Sequence, residues 1–199
     1  MTETGRLETF ADGVFAIAIT LLVLGIRTPS PSDDLGKALL DQWPEFVAYI
    51  VSFLTIGIMW VQHHRLFTII RRSNATFAMI NVIFLMFVAF VPFPTVVLAQ
   101  RLGSGVDAVG ATLLYGASMV GIALMFNAIW RYASAWDGHL LERQSVEDRR
   151  AVARGYRYGV PIYVLITLAA FVNPILSLVG YAAFAAYWAL PISGASRES

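Results

Sequence analysis

Few residues in this chain could do chemistry, and their spacing limits what that chemistry is. Asp12 stands near the start of a long apolar run, Phe10 to Ile26. A carboxylate in that place can hold an ion or move a proton, or it can tie helix ends together through hydrogen bonds. Thr20 puts a hydroxyl in the same run. His63 and His64 bring imidazoles that could bind a metal or sense pH. Adjacent residues on a helix face different ways, whereas helical metal sites use i, i+3 or i, i+4 spacing. Structural roles at the end of a helix suit the two histidines better, and no metal site is expected. The chain has no cysteine, which removes disulfides, thiolate metal sites and cysteine nucleophiles. No two carboxylates are paired within the apolar runs, so an enzyme is not expected, nor an organic cofactor.

The elements that must position these residues are membrane spans. Of 199 residues, 58% are hydrophobic and 14% are charged, and mean hydropathy is +0.67. A soluble domain is typically about 45–50% apolar and about 25% charged. A spanning helix needs roughly 20 mostly apolar residues, and six segments qualify: Phe10–Ile26, Phe46–Val61, Asn74–Leu98, Val106–Trp130, Tyr158–Val172 and Ile175–Ile192. Trp43-Pro44-Glu45 introduces the second, with Pro suited to a first turn and the acid to the positive helix end. Pro92 and Pro94 kink or end the third. Asn173-Pro174 reads as a turn between the fifth and sixth. Together they make one all-α membrane domain, residues 1–199.

Charge orients the domain. With the N-terminus in the cytoplasm and six spans, the cytoplasmic side collects Arg6, Arg65, Arg71, Arg72, Arg131, Arg143, Arg149, Arg150, Arg154, Arg157 and Arg197. Only Arg27, Lys37 and Arg101 fall outside. This positive-inside bias places both termini in the cytoplasm. No secretory signal peptide is expected, because an acid opens the first segment and no small-residue cleavage site follows. The stretch from Trp136 to Arg157 mixes acids with arginines and reads as a solvated helical extension, not a nucleic-acid patch. The net charge of +1 agrees. Gly110, Gly116 and Gly121 are expected to allow close helix packing, and Asn74, Asn81 and Asn127 to hydrogen-bond between helices.

The first segment has two distinct sides. Advancing 100° per residue from Ile17 puts Leu21 at about 40°, Leu24 at about 340°, Thr20 at about 300° and Phe10 at about 20°. Asp12 falls at about 220°, toward neighbouring helices, which favours a structural role for it. A stripe spaced like Ile17, Leu21 and Leu24 fits packing or lipid contact more readily than a pore when nothing else is known. Arranged around a symmetry axis, it would make a narrow apolar constriction that gates by dewetting, with Thr20 adding a ring of hydroxyls.

The run from Arg6 to Leu24, with Arg6, Phe10-Ala11-Asp12, Gly13-Val14-Phe15-Ala16-Ile17-Ala18 and Thr20-Leu21-Leu22, resembles the first-helix motif of the transmembrane protein 175 family. These are lysosomal potassium channels in animals, with shorter bacterial relatives. Gly57 to Phe67 looks like the end of that family's second helix, and Pro92-Phe93-Pro94-Thr95 also fits. Ala11 stands where the family usually has Ser, removing one hydroxyl from the network expected at the cytoplasmic end. The resemblance implies a homotetramer of six-helix subunits in the lipid bilayer, the first helix lining a central pore without a carbonyl filter. It implies Ile17 as the constriction, Leu21 and Leu24 as further apolar rings, and Thr20 as the selectivity hydroxyl. Arg6, Phe10 and Asp12 carry the structural motif, and Trp60, His63 and His64 are candidates for a network at the helix end. The function expected is a potassium channel, modestly selective over sodium, in a bacterial plasma membrane, with potassium the permeant ion. A proton channel of the same family and a secondary transporter are the alternatives. No repeat of the inverted-transporter kind is visible.

Overall fold

Pro44, Pro92 and Pro174 each stand in the first turn of a helix, where a missing N–H leaves no bond unmade. The computed structural model describes residues 2–104, 107–135, 140–141 and 146–189. In it α1 (Gly5–Leu21) runs into a 3-10 turn (Leu22–Gly25), followed by α2 (Leu35–Asp41) and α3 (Trp43–Ile69). Then come α4 (Ala75–Phe90), α5 (Pro92–Ser104), α6 (Ala108–Ser134), α7 (Val146–Leu168) with a 3-10 turn (Ala169–Phe171), and α8 (Pro174–Ala189). A two-residue strand, Thr2–Glu3, pairs antiparallel with Arg72–Ser73 and ties the start of α1 to the α3–α4 connection.

The fold is that of an all-α membrane protein. Four stretches are long and apolar enough to cross a bilayer: Gly5–Gly25, Trp43–Ile69, Ala75–Leu102 and Ala108–Ser134. Tyr156–Phe171 and Pro174–Ala189 are shorter apolar helices that supply the fifth and sixth segments.

The boundaries differ from those expected in instructive ways. The second span does not end at Val61. Its buried stripe continues through Met59, His63, Leu66 and Phe67, so packing carries the helix past the polar run Gln62 to Arg65. The third span is two helices broken at Val91, where Pro92 and Pro94 forbid a continuous ladder. The outer loop holds α2, capped by Asp34, whose Oδ1 accepts from the Lys37 N–H at 2.8 Å. Of the expected extension from Trp136 to Arg157, the helix from Val146 belongs to α7, and residues 136–139 and 142–145 lie outside the described residues. The last three residues of the sixth segment, 190–192, also lie outside them.

The fifth and sixth segments are separate helices, not one bent span. Asn173 Oδ1 accepts from the Ile175 N–H at 2.8 Å and starts α8. Ser177 donates back to the Ile166 carbonyl at 2.7 Å, and the Thr167 and Tyr181 hydroxyls meet at 3.0 Å. Gly116 of α6 sits against this pair. A Cβ there would run into the Thr167 side chain and the Tyr181 hydroxyl, neither of which can swing away.

Gly116→Ala is therefore expected to destabilise the fold by about 1–3 kcal/mol, the usual cost of overpacking. Gly57→Ala, where a Cβ meets nothing within 4 Å, should be neutral or mildly stabilising because Ala is the better helix former. Thermal unfolding of the purified protein in detergent checks both, and equal melting temperatures would contradict the close approach.

Candidate functional site

One face of α1 is buried, Leu7, Val14 and Ile19 beside it are partly covered, and the opposite face is exposed. Ala11, Phe15, Ala18 and Leu22 are buried, and they share one side of the helix at about 100–160° from Ile17. Opposite them, Phe10 is 55% exposed, Ile17 61%, Leu21 43% and Leu24 76%. Thr20 is exposed as well. The stripe read from the sequence is thus the side of the helix that this chain does not cover. Other spans also expose apolar residues, but they are better enclosed. Within the most apolar window of each long span, 22% of residues are buried in the first, against 44–50% in the other three.

Thr20 uses its hydroxyl proton locally. Oγ1 donates to the carbonyls of Ile17 at 2.9 Å and Ala16 at 3.1 Å. The oxygen is left able to accept but not to donate, so this exposed group presents lone pairs to its surroundings.

Asp12 is engaged elsewhere, as its place on the wheel implies. The Trp60 indole donates to its Oδ1 at 2.8 Å, and the Trp60 ring stacks on His64 with centroids 6.1 Å apart. An anion inside a span is costly unless it faces protein or water and finds a donor, and α3 supplies that donor. Phe10 lies exposed two residues before Asp12, and Arg6 is exposed more than a turn before it. Among the described residues no hydrogen bond or ion pair joins Arg6 to this group. Ala11 is fully buried, so the position that the family fills with Ser is here a methyl in the core.

His63 and His64 face apart. His63 is buried, with Nε2 2.9 Å from Asn81 Oδ1 on α4, and its ring stacks on Phe67 and Phe84 at 4.4 and 5.4 Å. Phe15 of α1 packs on the same imidazole at 5.6 Å. Both histidines lie inside α3, and the helix continues about one and a half turns past them to Ile69. Sequence reasoning missed two other fixtures. Arg27, just beyond α1, pairs with the buried Glu45 at 2.6 Å. Ser52 joins the hydroxyls of Thr95 at 2.9 Å and Tyr115 at 3.1 Å, linking α3, α5 and α6. The polar residues at 52 and 55, a turn apart in an apolar helix, were the available signal.

Comparison with known proteins gives this geometry a context. Residues 6–92 match the family model described as endosomal/lysosomal potassium channel TMEM175. A potassium channel of Streptomyces collinus is 41% identical over 191 residues, covering 94% of this chain and 92% of that one. The crystal structure of a lysosomal potassium-selective channel TMEM175 homolog from Chamaesiphon minutus is 38% identical and superposes with a TM-score of 0.86, covering 96% of this chain and 98% of that one. The mouse endosomal/lysosomal proton channel TMEM175 is 40% identical over 97 residues, which is 44% of this chain and 19% of that much longer protein.

The Asp12–Trp60 bond is expected to couple α1 to α3. Asp12→Asn and Trp60→Phe should each lower stability, and a double-mutant cycle on thermal unfolding should return a coupling of about 1 kcal/mol or more. Additive effects of the two changes would show that the bond does not hold α1.

Proposed function

The chain belongs to the TMEM175 family, and from that premise we propose that it is a potassium-conducting channel of a bacterial plasma membrane, assembled as a homotetramer around its first helix. The poor enclosure of α1 by its own chain is the observation that carries this reading. A span with only 22% of its apolar window buried needs further contacts, and copies of the chain around an axis both provide them and bring the bare stripe to a shared path. Ile17 then forms the constriction, Leu21 and Leu24 extend it, and Thr20 adds a ring of oxygens beside it. Phe10 and Asp12 set the start of the helix, with Asp12 directed to Trp60 and not to the path. Arg6 belongs with the basic residues that place both termini in the cytoplasm.

The selectivity proposed is modest. An apolar ring at Ile17 asks a cation to shed part of its water, and potassium sheds water more readily than sodium because its charge is spread over a larger ion. Thr20 oxygens that can only accept stabilise a cation and not an anion. Proton conduction is the second reading. It is favoured by the mouse relative, which is named a proton channel.

Flux into liposomes holding the purified protein tests the reading. A passive potassium flux above sodium is expected, whereas a proton flux without potassium would favour the second reading and no flux would remove both. Ile17→Asn should wet the constriction and raise leak severalfold, and an unchanged current would remove Ile17 as the narrow point. Thr20→Val replaces the hydroxyl by a methyl. It should lower potassium-over-sodium selectivity in reversal-potential measurements, and equal selectivity would take Thr20 out of the site.

A further inference from the structure

On the side of α3 away from α1 the bundle is incompletely filled. Helices α3, α6, α7 and α8 surround a cavity of about 60 Å³ that is open on one side. A single water needs on the order of 10–15 Å³ by this kind of measure, so several such groups would fit. The walls are almost wholly apolar. Met59 forms one. A row of rings forms another: Phe126 stacks on Tyr156 at 5.6 Å and 9°, and Tyr156 on Trp188 at 6.5 Å and 14°. Gly159 completes the lining, and a Cβ placed on it would meet nothing within 4 Å. Ordered water needs two to four polar partners, and such walls do not provide them.

One rim of the cavity is of the opposite character. Gln62 follows Met59 by three residues and donates a long hydrogen bond, 3.4 Å, to the Trp188 carbonyl on α8. Arg65 follows Gln62 by three more. It is exposed and stands one turn further along the same side of α3. Arg157, next to Tyr156 on α7, is also exposed. An apolar chamber within spanning helices, with an exposed arginine one helical turn beyond Gln62 of its lining, has the polarity of an anionic amphiphile.

We propose that this chamber is a lipid site, taking part of an acyl chain of an anionic phospholipid whose phosphate is held by Arg65. A neutral apolar molecule would fill the walls but leave the cationic rim unused. A soluble anion would use the rim but not the walls. Such a lipid braces the turn of α3 that holds Trp60 on its other side. The site requires that the chain span a bilayer and does not require that it conduct.

Native mass spectrometry of the purified full chain, with phosphatidylglycerol and phosphatidylcholine of identical chains added in turn, tests this. Retention of phosphatidylglycerol should exceed that of phosphatidylcholine by about fivefold, because choline's cation offsets the phosphate charge in one and one arginine beside the uncompensated anion of the other supplies about that factor. Arg65→Gln, an exposed change that leaves the packing alone, should remove that preference while chain binding remains. Gly159→Leu grows into the chamber and should remove retention of both lipids, and Ala185→Leu fills it from α8 should the first variant fail to fold. Equal retention of the two lipids by the native chain, an undiminished preference in Arg65→Gln, or undiminished binding in a folded filled variant would each overturn the proposal. Ion flux plays no part in the readout. A chain that bound the lipid but passed no ion would lose the channel reading and keep this one.

Discussion

A helix that gives one face to something outside its own chain must be held by what is left of its circumference. In α1 and the 3-10 turn that follows it, that remainder is a narrow stripe of Ala11, Phe15, Ala18 and Leu22. The two alanines let the helix approach its neighbours closely, and Phe15 packs against the stacked His63 and Phe84 rings at 5.6 and 6.0 Å. Directional bonding comes from the Trp60 indole on Asp12, and beyond the far end from Arg27 on Glu45. The paired strands at Thr2–Glu3 and Arg72–Ser73 fasten the near end. These contacts act at different heights and from different helices, so together they fix the rotation of α1 as well as its position. Rotation decides whether Ile17 and Thr20 or Asp12 is presented outward.

The rest of the bundle treats its polar groups in the same economical way. Within a bilayer each must find a partner inside the protein. Thr55, Thr95, Thr112, Ser118 and Thr167 return their hydroxyls to the carbonyl four residues back. Ser52, Asn81 and Asn127 reach across to other helices, Asn127 while also donating to the Ala123 carbonyl four residues back. An interhelix hydrogen bond in a membrane protein contributes on average only about 0.6 kcal/mol. Their larger effect is on register. Asn127 donates to the Tyr156 carbonyl at 2.8 Å, and that bond can form at only one sliding position of α7 along α6.

How much of this was legible depended on periodicity. Six apolar runs, the break at Pro92, the turn at Asn173 and the two sides of α1 are local patterns, and local patterns can be read from one chain. The residues that closed the readings too early were polar ones inside helices. Gln62 to Arg65 look like a helix end, yet His63 is buried against Asn81, eighteen residues away. That partnership depends on how α4 lies on α3, which no single window contains. The α2 helix was hidden for the opposite reason. Seven residues with no buried side chain are too short a run for a helical period to stand out, which leaves the Asp34 cap as the signal. Glu45 was legible as an acid at a helix start, but its partner Arg27 belongs to another segment.

The electrostatics of α1 follow from the same division of its faces. Its one acid within the apolar run lies about 140° from Ile17 around the helix and is turned to an indole on α3. A path built on the Ile17 face therefore has no fixed charge at its narrow level. What it offers an ion is a ring of apolar side chains and, beside it, oxygens whose protons are already given to the backbone. Oxygens of that kind accept without donating. They favour cations over anions by orientation alone, and they cannot grip a dehydrated ion as a full cage of carbonyls would. Discrimination between cations then comes from the cost of losing water at the apolar ring, which scales with ionic size and is not screened by salt. A weak sieve is the expected companion of a constriction of this type. In a path of this kind, Asp12 bonded to Trp60 lies off the Ile17 face and would leave the sieve without a charge of its own.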